Sequence, residues 1–238
     1  MATPYISAVF VSRNDDHGGG LLPRMTACLN GWIEQCERHK LPAELVVVEW
    51  NPPPGRPGLA EVVPWISPTE YCSVRVLRVD PAIHARLPLS DRWPINIPIA
   101  KNAGTRRARG QFILNSCIDI LLSDELVKYL ARRELDPHAS YRVDRMDVTR
   151  DVLAGGSFSG ILARCREQIG HVYLKMDFRK EFPGLANEIP GFPLVHANGS
   201  GDFQFFPAET WKQIRGYLER DPIGYGVDIL AAYMAYHA

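Results

Sequence analysis

A single α/β domain, with a mostly parallel central sheet flanked by helices, is the fold class this sequence predicts, on three observations. Short β-branched runs such as Leu45 to Val48 are continuously apolar, as strands buried on both faces are. Each early run ends in residues that break structure, SRNDDHGGG after the first and NPPPGRPG after the second, and helical patterns separate the runs. The 238 residues, 46% of them hydrophobic, suffice for one substantial core without a second domain.

Taken in order, Tyr5 to Val11 is the first strand and Leu21 to His39 an amphipathic helix. Leu45 to Val48 is the second strand, ending at Glu49, and Val74 to Val79 is the third. The irregular stretch DPAIHARLPLSDRWPINIP leads to a helix read over Ala100 to Arg109. Lys101, Arg106, Arg107 and Arg109 make that helix basic, and Gly110 stops it. Phe112 to Leu114 follows as a central strand, and Asn115, Ser116, Cys117 and Asp119 fall where the backbone opens. Ser123 caps a helix from Asp124 to about Arg133, acidic in its first turn and basic in its last. Tyr141 to Met146 reads as a further strand, whereas Val152 to Pro193 keeps neither period and reads as loops with a short helix. Phe203 to Phe206 is a strand, Pro207 opens a helix that Gly216 closes, and Asp228 opens a last helix through Ile229, Leu230, Tyr233 and Met234.

Composition excludes several classes. Lys plus Arg equal Asp plus Glu at 27 each, so no overall field draws nucleic acid or anionic membrane, and an anionic ligand must meet a local cluster. Five cysteines, odd in number and without CxxC spacing, argue against a disulfide framework and structural zinc and fit a reducing cytoplasm. No apolar run approaches the ~20 residues of a membrane span, and no signal-peptide pattern opens the chain, which leaves peripheral contact as the form any membrane attachment takes. SRNDDHGGG lacks both the G-K-[ST] of a P-loop and the G-x-G-x-x-G of dinucleotide binders.

Open sheets of this class bind ligands at the carboxyl ends of their strands. Ser12, Arg13 and Asn14 follow the first strand, Glu49 ends the second and Asp119 follows the fourth, so these form one candidate site. A carboxylate near several guanidinium groups suits a divalent cation and a phosphate ester. The plainer alternatives are that Asp119 orders a turn, that the arginines form a solvated face, and that Asp228 serves as a helix N-cap. His196 and His237 are further candidate ligands, with a structural role as their alternative.

Four stretches, VFVSRND, VVVEWN, AKNAGTRRARGQFILNSCIDI and GDFQFFPAETWKQIRGYLERDPIGYGVDI, together resemble the family two type of nucleotide-sugar glycosyltransferases of the GT-A fold. In such enzymes the helix before strand four carries N-x-G and A-x-G elements, here Asn102-Ala103-Gly104 and Ala108-Arg109-Gly110. The acid after that strand belongs to a metal-binding D-x-D motif, here Cys117-Ile118-Asp119. An R-G-[FY]-x-E element, here Arg215 to Glu219, leads to an acid that resembles the catalytic base, here Asp228.

The resemblance implies a Rossmann-like GT-A domain with residues 1–122 on the nucleotide side and 123–238 on the acceptor side. It implies metal-dependent, inverting transfer of a sugar from a nucleotide-diphosphate donor to a hydroxyl of a glycan or other acceptor, with Mn²⁺ or Mg²⁺ as cofactor. The implied donor contacts are Ser12, Arg13, Asn14, Glu49, Asn102, Arg106 and Arg107; the metal ligands are Asp119 and His237; the catalytic acids are Asp228 and Asp202. Two departures stand out. Cys117 replaces the first acid of D-x-D, leaving Asp119 to hold the cation with phosphate oxygens and water. Glu49-Trp50 stands where the family often shows paired aspartates. Cys117 also favours one alternative, a sugar-nucleotide or glycan binding module without turnover. A nucleotidyltransferase is another, although its basic loop would have Arg13 and Arg24 alone. The short stretch after Asp228 leads us to expect a partner, or a second copy of the chain in a homo-oligomer, on the acceptor side.

Overall fold

The computed structural model describes residues 3–173, 195, 200–220, 222, 224 and 226–238. Its first half alternates strand and helix: β1 (Ile6–Ser12), α1 (Leu21–His39), β2 (Ala43–Trp50), α2 (Leu59–Val62), β3 (Cys72–Val79), α3 (Pro81–His84), α4 (Ile97–Thr105) and β4 (Phe112–Ser116). Then come α5 (Asp124–Leu130), a hairpin-like pair of β5 (Arg145–Val148) and β6 (Ile169–Tyr173) with α6 (Phe158–Glu167) between them, and finally β7 (Phe203–Pro207), α7 (Ala208–Gln213) and α8 (Val227–Tyr236). The central sheet has the order β3-β2-β1-β4-β7, parallel except for β7, which runs antiparallel to β4. This is the predicted mostly parallel sheet flanked by helices.

Every residue of β2 is buried, as its unbroken apolar run requires. The two faces alternate along the strands. Ile6, Ala8 and Phe10 with Leu45 and Val47 turn to one side, where Met25, Leu29, Trp32 and Ile33 of α1 cover them. Val9, Val46 and Ile113 turn to the other, where Trp211, Ile214, Tyr217 and Ala231 close the core. Helix α4 presses on β1 and β2 through Gly104, where a Cβ would stand 2.4 Å from Val9 Cγ1.

Three elements around the site are bounded differently from expectation. Helix α4 begins at Ile97, with the Asn96 side chain accepting from Ile99 N at 3.2 Å and Pro98 tolerated in the first turn, where no intrahelical N–H is needed. It ends at Thr105, so Arg106, Arg107 and Arg109 lie beyond it. Tyr141 makes an isolated bridge to Phe205, its ring packed on Phe112 and Phe205, and the strand proper starts at Arg145. Helix α5 stops at Leu130, and Arg133 takes a positive φ of 59°. The expected short helix after Val152 is α6, and β6, paired with β5, is a strand where loops were expected; residues 174–193 of that stretch and His196 lie outside the described residues. All five cysteines are free thiols, and no described helix is long and apolar enough to cross a membrane.

Candidate active site at the carboxyl rim of the sheet

Because β7 pairs antiparallel with β4 in the register Ser116 opposite Phe203, the residues before β7 arrive where β4 ends. Ser116 Oγ donates to the Asp202 carbonyl at 2.5 Å, and the Cys117 thiol donates to the Gly201 carbonyl at 3.7 Å. Lys101, buried in the middle of α4, donates to the same Gly201 carbonyl at 3.2 Å and lies 5.4 Å from the Tyr217 ring centre. Asp228, in the first turn of α8, closes the group: a Cβ on Gly201 would stand 3.0 Å from its Oδ2. Asp202, Asp228, Lys101 and Cys117 thus converge from four parts of the chain.

Two arginines border this group. Arg145 of β5 binds Asp202 Oδ2 through Nη1 at 2.7 Å and Asp147 through Nε at 2.7 Å, and these carboxylates, Asp147 foremost, raise its pKa. Arg142 is half-buried and feels the charges of Asp144, Asp202 and Asp228; burial lowers its pKa. Burial pushes the Cys117 thiol up to about 11 against the opposing pull of Lys101, so it is protonated at neutral pH. Burial likewise raises the Tyr217 hydroxyl.

Asp119 stands further along the rim, on the exposed turn after β4, where it forms an ion pair with Arg24 of α1. The same guanidinium donates to the carbonyls of His17 at 2.8 Å, Gly19 at 3.3 Å and Gly20 at 3.4 Å. Arg150 reaches the loop from elsewhere, Nη2 donating to the Gly18 carbonyl at 2.6 Å.

The remaining candidates divide into rim and interior. Ser12 and Arg13 are buried at the end of β1; Arg13 bonds to the Pro94 carbonyl at 3.0 Å and pairs with Asp15 at 3.1 Å, and Asn14 bonds to the Pro57 carbonyl at 3.0 Å. Glu49 is turned inward, accepting from Leu59 N at 2.9 Å and so starting α2. Asn102 is fully buried, donating to the Tyr217 carbonyl at 2.9 Å and to Glu219 Oε1 at 2.7 Å and accepting from Tyr217 N at 2.8 Å. Its neighbour Gly216 has φ 83°, and a Cβ there would meet Asn102 Oδ1 at 2.3 Å. The N-x-G and R-G-Y-L-E elements are therefore two halves of one clasp.

Arg106 and Arg107 are not brought to Asp119. Helix α4 returns antiparallel to the strands it joins, which sends the residues after it to the amino edge of the sheet. Arg106 pairs there with Glu219 at 3.0 Å, Arg107 bonds to the Ala103 carbonyl at 2.9 Å, and the Arg107 carbonyl accepts from Arg75 at 2.5 Å. His237 is exposed at the far end of α8, about 13 Å along the axis from Asp228 at 1.5 Å rise per residue. Sequence reasoning misses Lys101, Arg24, Arg142 and Arg145 as residues of the rim. Lys101 had a signal, since the first half of a helix feeding a parallel strand lies at the carboxyl rim; the rim acids that face the other three, Asp119, Asp202 and Asp228, are distant in sequence.

No protein-family model matches the sequence, and no curated protein matches it. By structure the chain is similar to the crystal structure of S. aureus TarS, residues 1–349, with a TM-score of 0.54 and 16% identity over 97% of this chain and 55% of that one. The chain has the GT-A fold. TarS is a GT-A glycosyltransferase, and this chain spans about half the length of the TarS structure that it matches.

Among the described residues, the donor set at this rim does not fit the cation implied by the resemblance. The Asp119 carboxylate is held by a guanidinium, beside which a divalent ion would meet a like charge. Cys117 is a protonated thiol, whereas Mg²⁺ and Mn²⁺ seek oxygen. His237 lies a helix length from the group, and among the described residues no three His, Cys, Asp or Glu side chains gather as a metal site.

Proposed function

We propose that the chain transfers a glycosyl group from a nucleotide-diphosphate sugar to an acceptor hydroxyl, with inversion at the anomeric carbon. The convergence of Asp202 and Asp228 across Gly201, at the rim where an open sheet takes its ligands, carries this assignment. The fold shared with TarS supports it.

Asp228 is the base. It takes the acceptor hydroxyl proton as that oxygen bonds to the anomeric carbon, while the bond from that carbon to the diphosphate breaks and the departing nucleoside diphosphate keeps the electron pair. Asp202, fixed through Arg145, orients sugar or acceptor hydroxyls. Lys101 adds positive charge close to the reacting centre. Ser12, Arg13 and Asn14, anchored at the end of β1, form the floor for the nucleoside. Glu49 and Asn102, whose polar groups are turned into the fold, shape the site from behind. The free thiols suit a reducing compartment such as the cytoplasm, and the acceptor is a glycan or another hydroxyl compound.

Release of nucleoside diphosphate across a panel of nucleotide sugars, with and without glycan acceptors, tests this. Turnover with at least one donor is expected, and Asp228→Asn lowers kcat roughly 10²–10⁴-fold while leaving donor Kd within about twofold. Equal turnover in the variant removes Asp228 as the base. Tight donor binding without turnover for any acceptor favours the non-catalytic binding module instead.

A further inference from the structure

Arg24 and Arg150, from opposite ends of the first 150 residues, meet on the carbonyls of one loop, and one of them also holds the acid of the degenerate D-x-D element. We propose that Arg24, with Arg150 beside it, takes the place of a divalent cation at this rim and binds the donor's diphosphate directly. This rests on the nucleotide-donor reading above and names the chemistry by which the site holds its leaving group.

A guanidinium is permanently charged, and its planar fork matches two phosphate oxygens at once. Arg24 already holds Nη1 at the rim beside Asp119, with Nε and Nη2 anchored on the loop carbonyls. Three carbonyls and Asp119 fasten it, and its side chain is 19% exposed, so little rotamer freedom remains to be lost on binding. A second carboxylate at position 117 would repel a diphosphate and call for a bridging metal. With a cysteine rather than an acid there and Asp119 neutralised by Arg24, no unneutralised carboxylate of the C-I-D triplet faces the diphosphate, and Arg150 adds a positive charge. The loop acids are engaged elsewhere, Asp15 on Arg13 and Asp16 accepting from Leu21 N at 3.0 Å. A phosphate oxygen then shares Arg24 Nη1 with Asp119, which competes for the guanidinium while staying paired to it.

Removal of Asp119 therefore separates the two kinds of site. A metal site loses diphosphate binding when its carboxylate goes, whereas an arginine site keeps or gains it, because a competing anion has left. Calorimetric Kd values for inorganic pyrophosphate, UDP, GDP, ADP and CDP, each with EDTA and with Mn²⁺, measure this. For the nucleotide that binds, the wild type is expected to show the same Kd within about twofold in EDTA and Mn²⁺. Asp119→Asn binds equally or more tightly, Arg24→Gln about tenfold or more weakly, and Arg150→Gln a few-fold more weakly.

Arg24→Lys keeps the charge without the fork and falls between wild type and Arg24→Gln; circular dichroism melting confirms that each variant folds. Binding that tightens about tenfold with Mn²⁺ and disappears in Asp119→Asn overturns the inference and leaves the transferase reading standing. Absence of binding by every nucleoside diphosphate, in EDTA and in Mn²⁺, overturns the nucleotide-donor reading and this inference with it. The EDTA comparison on the wild type needs no variant.

Discussion

The two edges of the central sheet carry similar residues and do opposite things with them. At the amino edge Glu44, 1% exposed, accepts from Ser7 Oγ at 2.6 Å, from Arg109 N at 2.5 Å and from the Arg75 guanidinium at 2.9 and 3.1 Å. Ser7 Oγ in turn accepts from Gly110 N at 2.7 Å. That carboxylate is consumed by the fold, locking the turn after α4 onto the starts of β1 and β2. At the carboxyl rim Asp119 sits on an exposed turn, Asp228 is half-buried, and the arginines that reach the rim come from surface segments. A carboxylate beside a guanidinium is thus a structural rivet when protein donors surround it, and a candidate site when one side is left to solvent.

Substitutions at both edges put that contrast at risk. The largest effect belongs to the rim, where Asp228→Asn removes roughly 10²–10⁴-fold of turnover with a melting temperature within about 3 °C of the wild type. At the amino edge Glu44→Ala does the reverse. It leaves the Arg75 guanidinium unpaired from its carboxylate and takes an acceptor from Ser7 Oγ and from the Arg109 backbone N–H, so urea unfolding shows a loss of about 3 kcal/mol and any donor that binds keeps its Kd. Gly216→Ala, which drives a Cβ into Asn102 at a positive φ, costs about 2 kcal/mol by the same measurement.

Cys117 supplies a smaller effect that depends on pH. Its raised pKa means that folding opposes ionisation, so the folded protein resists iodoacetamide near pH 8 and reacts as pH climbs toward about 11. In urea the same thiol reacts near its ordinary value of about 8.5. The stability tied to this group is present below the unfolded value and is lost as pH rises through the folded one. Mass spectrometry of the Cys117 peptide measures the rates, and rapid alkylation at neutral pH in the folded state refutes the assignment. The smallest change is expected for Arg107→Ala, less than about 0.5 kcal/mol, with no effect on nucleoside diphosphate binding; a loss of binding there would return the amino edge to function.

Much of the fold is legible in the sequence because its signals are local. The apolar stripe running through Met25, Leu29, Trp32 and Ile33 bounds Leu21–His39 correctly. The unbroken run of β2 announces a strand covered on both faces, although burial extends it to Ala43–Trp50. Helix α4 is misplaced by sequence reasoning because Pro98 looks like a breaker, whereas in the first turn it is compatible with the helix. Shifting that helix carries Arg106 and Arg107 to the wrong edge and hides Lys101 at the right one. The acids at positions 119, 202 and 228 are legible as residue types in a familiar order. Their surroundings are not: Arg24 lies 95 residues from Asp119 and Arg145 lies 57 from Asp202, separations that no periodicity encodes.

The clasp between Asn102 and Tyr217 joins residues 115 apart, and the flank of β4 is covered when Phe203–Pro207 is laid against it. During synthesis Ile113 and Leu114 therefore leave the ribosome well before the strand that will shield them. At about 5–20 residues per second the nascent chain holds a bare, hydrogen-bonding flank for several seconds. That interval, more than any weakness of the finished molecule, is when this chain is most open to pairing with a neighbour.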